Sequence, residues 1–316
     1  MNNFNGYTKG INLGGWLSQC VHTAEHYDTF ISADDIKKIA SWGVDHVRLP
    51  IDYNVFEEDD GTVKESGYSY IDNAIKWCKE NKLNIILDIH KTAGFSFDKG
   101  ENESGFFESE ALQERFYKLW ERMAERYAVS DGTIVFELLN EVTEQSYAQI
   151  WNGIIRNCIE RIRKLAPDTI ILVGGYWQNS PDAVPDLDAP YDDKVVYNFH
   201  CYDPLEFTHQ GAYWVETMAP DFRLAFDKCD ITPEYFMKRF ERAAEAAKKN
   251  GTVLYCGEYG VIDLATPEDT VKWFKAIHEA FVKMGISRAA WSYKKMDFGL
   301  SDERLSGVID ELIKYL

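Results

Sequence analysis

Eight short apolar segments of strand length, separated by longer segments that include helical patterns, recur along this 316-residue chain. Continuous apolar strands that alternate with helices indicate a parallel sheet buried on both faces. Eight such units in a chain of this length are typical of one α/β fold, the (β/α)8 TIM barrel. We therefore predict a single barrel domain over residues 1–316. The predicted strands cover residues 10–13, 46–50, 84–90, 134–140, 170–174, 195–200, 253–258 and 289–292.

Helical patterns fill most of the space between these strands. Their apolar residues recur with the spacing of one helix face, and no low-complexity linker separates them. The predicted helices cover residues 33–42, 70–79, 110–127, 148–165, 233–249 and 267–284.

Polar and aromatic residues occur at or just beyond the predicted carboxyl ends of the strands. Active sites of such barrels are built at this end. A single polar residue there is commonly a packing residue, but seven of them indicate a functional site. These residues are Arg48, His90, Asn140, Glu141, His200, Glu258 and Trp291.

Two of these residues are carboxylates that an eight-strand ring places across its mouth. Glu141 follows the fourth predicted strand, and Glu258 ends the seventh. Two carboxyl groups that flank a cleft are the equipment of glycoside hydrolysis, in which one protonates the leaving oxygen and the other attacks carbon or activates water. A separation of about 5 Å gives retention of configuration, and about 6.5–9.5 Å gives inversion.

Five segments resemble the conserved motifs of bacterial endoglucanases of glycoside hydrolase family 5. The resemblance extends almost from end to end and implies a retaining endo-β-glycosidase that needs no cofactor. It implies that Glu141 is the acid/base, Glu258 the nucleophile and Asn140 a donor to the sugar 2-hydroxyl. It further implies that Arg48, His90, His200 and Tyr202 form a polar shell and that Trp291 stacks on a sugar. The segments are GINLGGW (10–16), DHVRLP (45–50), FELLNE (136–141), VYNFHCY (196–202) and YCGEYG (255–260).

The implied roles make demands on the charges of the site. A nucleophile must be ionised, so we expect Arg48 and Tyr202 to lower the pKa of Glu258, while Glu141 stays protonated. Glu137 lies four residues before Glu141, and alternate residues of a strand face the same side, so its side chain should point into the barrel. We predict that it is a buried acid paired with His46 or Arg48, since an unpaired buried charge is costly.

Two features depart from the common family pattern or extend it. Lys91 follows His90 where relatives often carry a second histidine, and it is either a ligand for a sugar hydroxyl or a solvated loop lysine. Residues 203–232 form a connection much longer than the usual βα loop of about 2–6 residues. We expect this segment to wall the cleft, with Trp214 stacking on a sugar; the alternative is that its aromatic rings only pack the loop onto the barrel.

The substrate that we expect is a β-1,4-linked glucan, as a polysaccharide or an oligosaccharide. A β-mannanase or β-1,3-glucanase on the same scaffold is the first alternative. A metal-dependent barrel hydrolase using Asp88, His90 and His200 is less favoured, because Asn12 stands where a His-x-His motif would open the first strand. A non-catalytic sugar-binding barrel is disfavoured because both glutamates are present.

Composition limits the partners. There are 34 basic and 52 acidic residues, and the resulting net charge of −18 repels nucleic acid and anionic lipid surfaces. Six scattered cysteines predict free thiols and no zinc module. No secretory signal is visible at residues 1–4, so we expect a cytoplasmic protein or one whose signal has been removed. We expect a monomer that binds neither nucleic acid nor membrane.

Overall fold

The computed structural model describes residues 4–98, 100–129 and 131–316. Its eight parallel strands form a closed barrel in which each strand pairs with the next along the chain and β8 pairs with β1. This confirms the predicted (β/α)8 barrel. The strands are β1 (Lys9–Asn12), β2 (His46–Asp52), β3 (Asn84–Lys91), β4 (Ile134–Glu137), β5 (Ile171–Gly174), β6 (Val195–Cys201), β7 (Leu254–Tyr259) and β8 (Ser287–Ala290).

Helices cover the outer surface of the barrel. Four of the six predicted helices begin and end at the predicted residues, and side chains of Ser109, Thr232 and Thr266 cap the N-termini of three of them. Helix α1 was not predicted; Thr23 caps it by accepting a hydrogen bond from the backbone N–H of His26. The helices are α1 (Ala24–Phe30), α2 (Ala33–Ser41), α3 (Glu65–Glu80), α4 (Glu110–Tyr127), α5 (Ala148–Leu165), α6 (Tyr176–Asn179), α7 (Leu205–Thr208), α8 (Pro233–Lys249), α9 (Pro267–Met284) and α10 (Ile309–Leu312).

Strand β4 is shorter than predicted. It ends at Glu137 rather than at Asn140, and the chain then turns toward the centre of the barrel mouth. The backbone N–H of Asn140 still bonds to the carbonyl of Ile89, but Glu141 has a φ of 33°. A residue in this left-handed region cannot continue an extended strand, so Glu141 lies beyond the sheet.

Side chains fill the barrel interior in layers, because every second residue of a strand faces inward. The lower layer is apolar and packs against Phe4 and Tyr7. Two residues further along the strands the interior becomes polar and fully buried. The apolar layer contains Ile86, Val135, Leu172, Val196, Tyr255 and Ala289, and the polar layer contains Asn12, Arg48, Asp88, Glu137 and Asn198.

A register shift between β6 and β7 sets the position of Glu258, the second catalytic candidate. Phe199 pairs with Cys256, but the next residue, His200, pairs with Glu258, so Gly257 is an extra residue in β7. A Cβ atom at Gly257 would lie only 2.7 Å from Oδ1 of Asn198, which explains the glycine. The shift brings Glu258 beside His200 at the mouth of the barrel.

Every cysteine is a free thiol, as the scattered spacing indicated. Within the described ranges, no helix combines the length and the apolar character needed to cross a bilayer.

Candidate active site

A cleft of about 1380 Å³ opens at the carboxyl ends of the strands. Its walls combine carboxylates, imidazoles and aromatic rings that come from distant parts of the chain. Of the predicted site residues, Glu141, Glu258, His90, His200, Tyr202, Trp214 and Trp291 line it. Arg48 and Asn140 lie beneath it in the buried interior.

Glu141 and Glu258 face each other across the centre of the cleft. A carboxylate oxygen of Glu141 lies within 4.8 Å of one of Glu258. Both oxygens of Glu258 are held: Oε1 accepts from Nη1 of Arg48 at 2.7 Å, and Oε2 accepts from the hydroxyl of Tyr202 at 2.8 Å. An approach this close lies below the spacing of about 6.5–9.5 Å that leaves room for water between the carboxyl groups, and so favours direct attack of one carboxylate on carbon.

His200 connects the two carboxylates to the loop after β5. Burial is the largest cause that holds the pKa of His200 well below its ordinary value, so its imidazole is neutral. Nδ1 of His200 lies 2.7 Å from Oε1 of Glu141, and Nε2 lies 3.4 Å from Nδ2 of Asn179. With the Asn179 amide in this orientation, Nε2 is the acceptor and Nδ1 carries the proton that is donated to Glu141.

Arg48 is the charge centre beneath the cleft. Its Nε and Nη2 bind both oxygens of Glu137 at 2.7 and 2.8 Å, which confirms the predicted pairing of Glu137 with Arg48. His46 instead bonds to Asp45 and Tyr255. The guanidinium of Arg48 is fully buried behind the carboxylates.

Burial raises the pKa of both catalytic candidates, but their neighbours differ. For Glu258, the charge of Arg48, then His90 and the Tyr202 hydroxyl oppose the rise. For Glu141, the negative charge of Glu258 adds to burial and holds the pKa well above the ordinary value. Arg48 and Tyr202 lower the pKa of Glu258 as expected, but burial outweighs them and the net direction is upward. The order of the two groups still leaves Glu141 as the proton carrier and Glu258 as the anion.

The side-chain amide of Asn140 has one hydrogen-bonded atom, Oδ1, and one atom without a hydrogen-bond partner among the described residues, Nδ2. Its Oδ1 accepts from Nη2 of Arg48 at 2.8 Å, which orients the amide. Its Nδ2 is buried and has no partner among the described residues. An unpaired buried donor is unfavourable unless a ligand accepts from it.

The parallel, stacked rings of His90 and Trp291 form one surface of the cleft. Their rings are parallel to within 2° with centroids 5.7 Å apart. Asp88 lies behind, with Oδ2 2.5 Å from Nδ1 of His90. Burial lowers the pKa of His90 to about 4, so a neutral ring faces the cleft.

The segment 203–232 contributes one wall, and its aromatic residues divide between packing and exposure. Phe207 is fully buried, whereas Tyr213 is 83% exposed. Trp214 lines the cleft while its ring contacts Tyr213, His209 and Phe298 at centroid distances of 4.8, 6.0 and 6.5 Å. Both interpretations of this loop therefore describe part of it.

Several residues of the site were not among the predicted ones. Asn198 donates to Glu137 at 2.7 Å and accepts from the N–H of Gly257, and its position two residues before His200 could have indicated an inward-facing side chain. Trp177 also lines the cleft, from a left-handed turn after β5 that no sequence pattern indicates.

The residues at the centre of the cleft also bear on the alternative of a metal-dependent hydrolase. Glu141, His200 and Glu258 have ligand atoms close enough to share a cation, but Nδ1 of His200 bonds to Oε1 of Glu141, and both oxygens of Glu258 accept hydrogen bonds. Asp88, which that alternative required, instead pairs with Arg48 at 3.0 Å and with His90. The donor arrangement therefore favours acid–base chemistry over metal ligation.

The chain is 55% identical to cellodextrinase A of Ruminococcus flavefaciens, over 90% of this chain and 84% of that protein. It is 38% identical to endoglucanase C of Acetivibrio thermocellus over 98% of both chains. The clostridial cellulose synthase subunit Z of Clostridioides difficile has a similar structure, with a TM-score of 0.82 and 28% identity over 97% of this chain and 99% of that one.

The family comparison is equally extensive. The sequence model of cellulase, glycosyl hydrolase family 5, matches residues 5–297. This range includes all eight strands and both cleft carboxylates. The chain belongs to glycoside hydrolase family 5, the cellulase family.

Proposed function

We propose that this enzyme is a retaining endo-β-1,4-glucanase that hydrolyses β-1,4-linked glucan chains by double displacement. The observation that carries the mechanism is the Glu141–Glu258 pair, whose oxygens approach within 4.8 Å and whose surroundings favour one proton and one negative charge. The family match and the relatives named cellodextrinase and endoglucanase support the substrate class.

In the first step, Glu258 attacks the anomeric carbon and forms an ester with the sugar. Glu141 transfers its proton to the glycosidic oxygen, so the leaving sugar departs as a neutral alcohol. Arg48 and Tyr202 position the attacking carboxylate through its two oxygens. Asn140 donates its unpaired N–H to the sugar 2-hydroxyl, while the His90–Trp291 surface supports the same sugar.

In the second step, water replaces the leaving sugar. Ester formation removes the negative charge of Glu258, so the pKa of Glu141 falls and its carboxylate can accept a proton from water. The resulting hydroxide attacks the anomeric carbon, and Glu258 leaves as a carboxylate. Two inversions at one carbon give net retention.

Retention is tested by following the first-formed product with NMR. A β-glucan should release a β-anomer, and the α-anomer should appear only later by mutarotation. An initial α-anomer would mean that Glu258 acts on water, as in an inverting enzyme.

Substrate class is tested by product analysis on a panel of β-1,4-glucan, mixed-linkage glucan, β-1,3-glucan and β-mannan. We expect oligosaccharides of several lengths from the first two polymers. Preferred cleavage of mannan or β-1,3-glucan would assign the enzyme to another specificity on this scaffold.

We further propose that the chain acts as a monomer with a single catalytic barrel, in which segment 203–232 is a wall of the cleft. The net charge of −18 argues against nucleic acid as a partner. Light scattering at working concentration tests the oligomeric state.

A further inference from the structure

A buried lysine joins two carboxylates at one wall of the cleft. Lys91 is the last residue of β3, and its Nζ lies 2.6 Å from Oδ2 of Asp98 and 2.7 Å from Oε1 of Glu101. The lysine side chain is 6% exposed, whereas those of Asp98 and Glu101 are 31% and 44% exposed. The cluster therefore has a buried cation and two carboxylates that open to the cleft.

Neighbouring loops hold this cluster in place. Nε2 of Gln19, from the loop after β1, donates to Oδ1 of Asp98 at 3.1 Å. Burial lowers the pKa of Lys91, but Asp52 and then Asp98 more than offset this, and the net direction is upward. Lys91 is thus charged, and Asp98 is fixed from two sides before any ligand arrives. A preorganised group loses less conformational entropy on binding than a mobile one.

Sugar hydroxyls are suitable ligands for such a cluster. A carboxylate oxygen accepts more than one hydrogen bond, so Asp98 and Glu101 can bind hydroxyls while they keep Lys91. Hydrogen bonds to charged groups are stronger than neutral ones. The exposed acceptors and the buried donor thus form a site for a neutral ligand rich in adjacent hydroxyls.

The order of strands shows which part of the substrate would reach the cluster. A line from Glu141 to Glu258 across the ring leaves β5 and β6 on one side and β8, β1, β2 and β3 on the other. The His90–Trp291 surface, which would support the sugar bound to Glu258, belongs to the second side, as does Lys91. Further sugars of the retained portion would extend over the loops after β1 to β3.

We infer that Lys91, Asp98 and Glu101 form a distal subsite that binds a glucosyl unit of the non-reducing, retained portion of the substrate. This inference rests on the proposed function. It also assigns a role to Lys91, for which the sequence left two interpretations open.

The test uses 4-nitrophenyl β-glucoside, β-cellobioside and β-cellotrioside, which share one leaving group and differ only in the retained sugars. The measured quantity is the ratio of kcat/KM for the cellotrioside to that for the glucoside. Lys91→Met should lower this ratio about tenfold, mainly through KM. Asp98→Asn should lower it in the same direction and leaves the lysine in place. The matched control is Lys272→Met, because Lys272 also joins two carboxylates, Asp227 and Asp269, but lies outside the cleft.

Each result has a defined meaning. An unchanged ratio in both Lys91→Met and Asp98→Asn would overturn the subsite, as would a parent enzyme whose kcat/KM gains nothing from the added sugars. Equal loss on all three glycosides would show that the lysine acts on the reaction centre instead. If Lys91→Met does not fold, Asp98→Asn decides. A parent enzyme inactive on all three glycosides and on glucan would reject the proposed function itself.

Discussion

At the scale of single residues, the two glutamates are chemically alike and differ only in their surroundings. Glu258 has a buried guanidinium and a phenol hydroxyl as donors, whereas Glu141 has a neutral imidazole. These neighbours stabilise a negative charge on Glu258 more than on Glu141. The division of labour therefore depends on the side chains that surround the pair.

This difference predicts distinct behaviour of two amide variants. An aryl leaving group needs little protonation, so Glu141→Gln should still form the glycosyl-enzyme on an activated glycoside, and added azide should restore turnover as a β-glycosyl azide. Glu258→Gln should lose activity on every substrate by several orders of magnitude, without azide rescue. Product identification by mass spectrometry and NMR makes the measurement. Rescue of Glu258→Gln but not of Glu141→Gln would exchange the two roles.

The pH dependence of kcat/KM follows from the same groups. Burial raises the pKa of Glu258 above its ordinary value, so activity should be lost on the acidic side as that carboxylate gains a proton. Loss of the Glu141 proton sets the alkaline limb, and the profile is bell-shaped. Tyr202→Phe removes a hydrogen bond that favours ionised Glu258, so its acidic limb should move to higher pH. An acidic limb that stays in place or moves down would contradict the role of Tyr202.

At the scale of elements, the strands carry the chemistry and the loops shape the cleft. The polar layer of the barrel is rigid because both sides of each strand are paired, and the shift between β6 and β7 sets the height of Glu258. The loops after β3 and β6 have no such constraint. They are therefore the elements that we expect to determine which sugars bind.

The loop after β6 yields a prediction for Trp214. If its indole stacks on a sugar away from the cleaved bond, Trp214→Ala should weaken kcat/KM on long oligosaccharides by about 1–3 kcal/mol. Activity on a short aryl glycoside should fall much less. The thermal midpoint serves as the control, since Trp214 also contacts His209 and Phe298. Equal loss on both substrates with a large drop in Tm would show that the ring is structural.

At the scale of the whole molecule, the charge of −18 acts on every approaching ligand. This field does not act on a neutral glucan, but it repels a carboxymethylated glucan because that polymer is negatively charged. Salt screens the repulsion, so raising ionic strength from about 20 to 200 mM should increase kcat/KM on the carboxymethylated polymer by about two- to fivefold. The neutral polymer is the control and should change little. A decrease with salt on the charged polymer would point to a local positive surface at the cleft.

The sequence by itself determined the barrel, the family and the positions of most site residues. Period-two facing and apolar continuity are local properties of each strand, and an eight-unit repeat has one common closed arrangement. Thus the sequence assigned Glu137 to the interior and gave His46 or Arg48 as its partner, and the structure selects Arg48. The motif residues Glu141 and Glu258 were recognisable because each lies at or just beyond the carboxyl end of a predicted strand.

Only the tertiary structure decided how those residues act on one another. The separation of Glu141 and Glu258, the burial of Arg48 and the net rise in the pKa of Glu258 depend on atoms from strands far apart in sequence. The enclosure of Lys91 between Asp98 and Glu101 depends on a loop path that no periodic pattern encodes. Electrostatic effects vary with distance and with solvent exposure, and both quantities exist only once the barrel has closed.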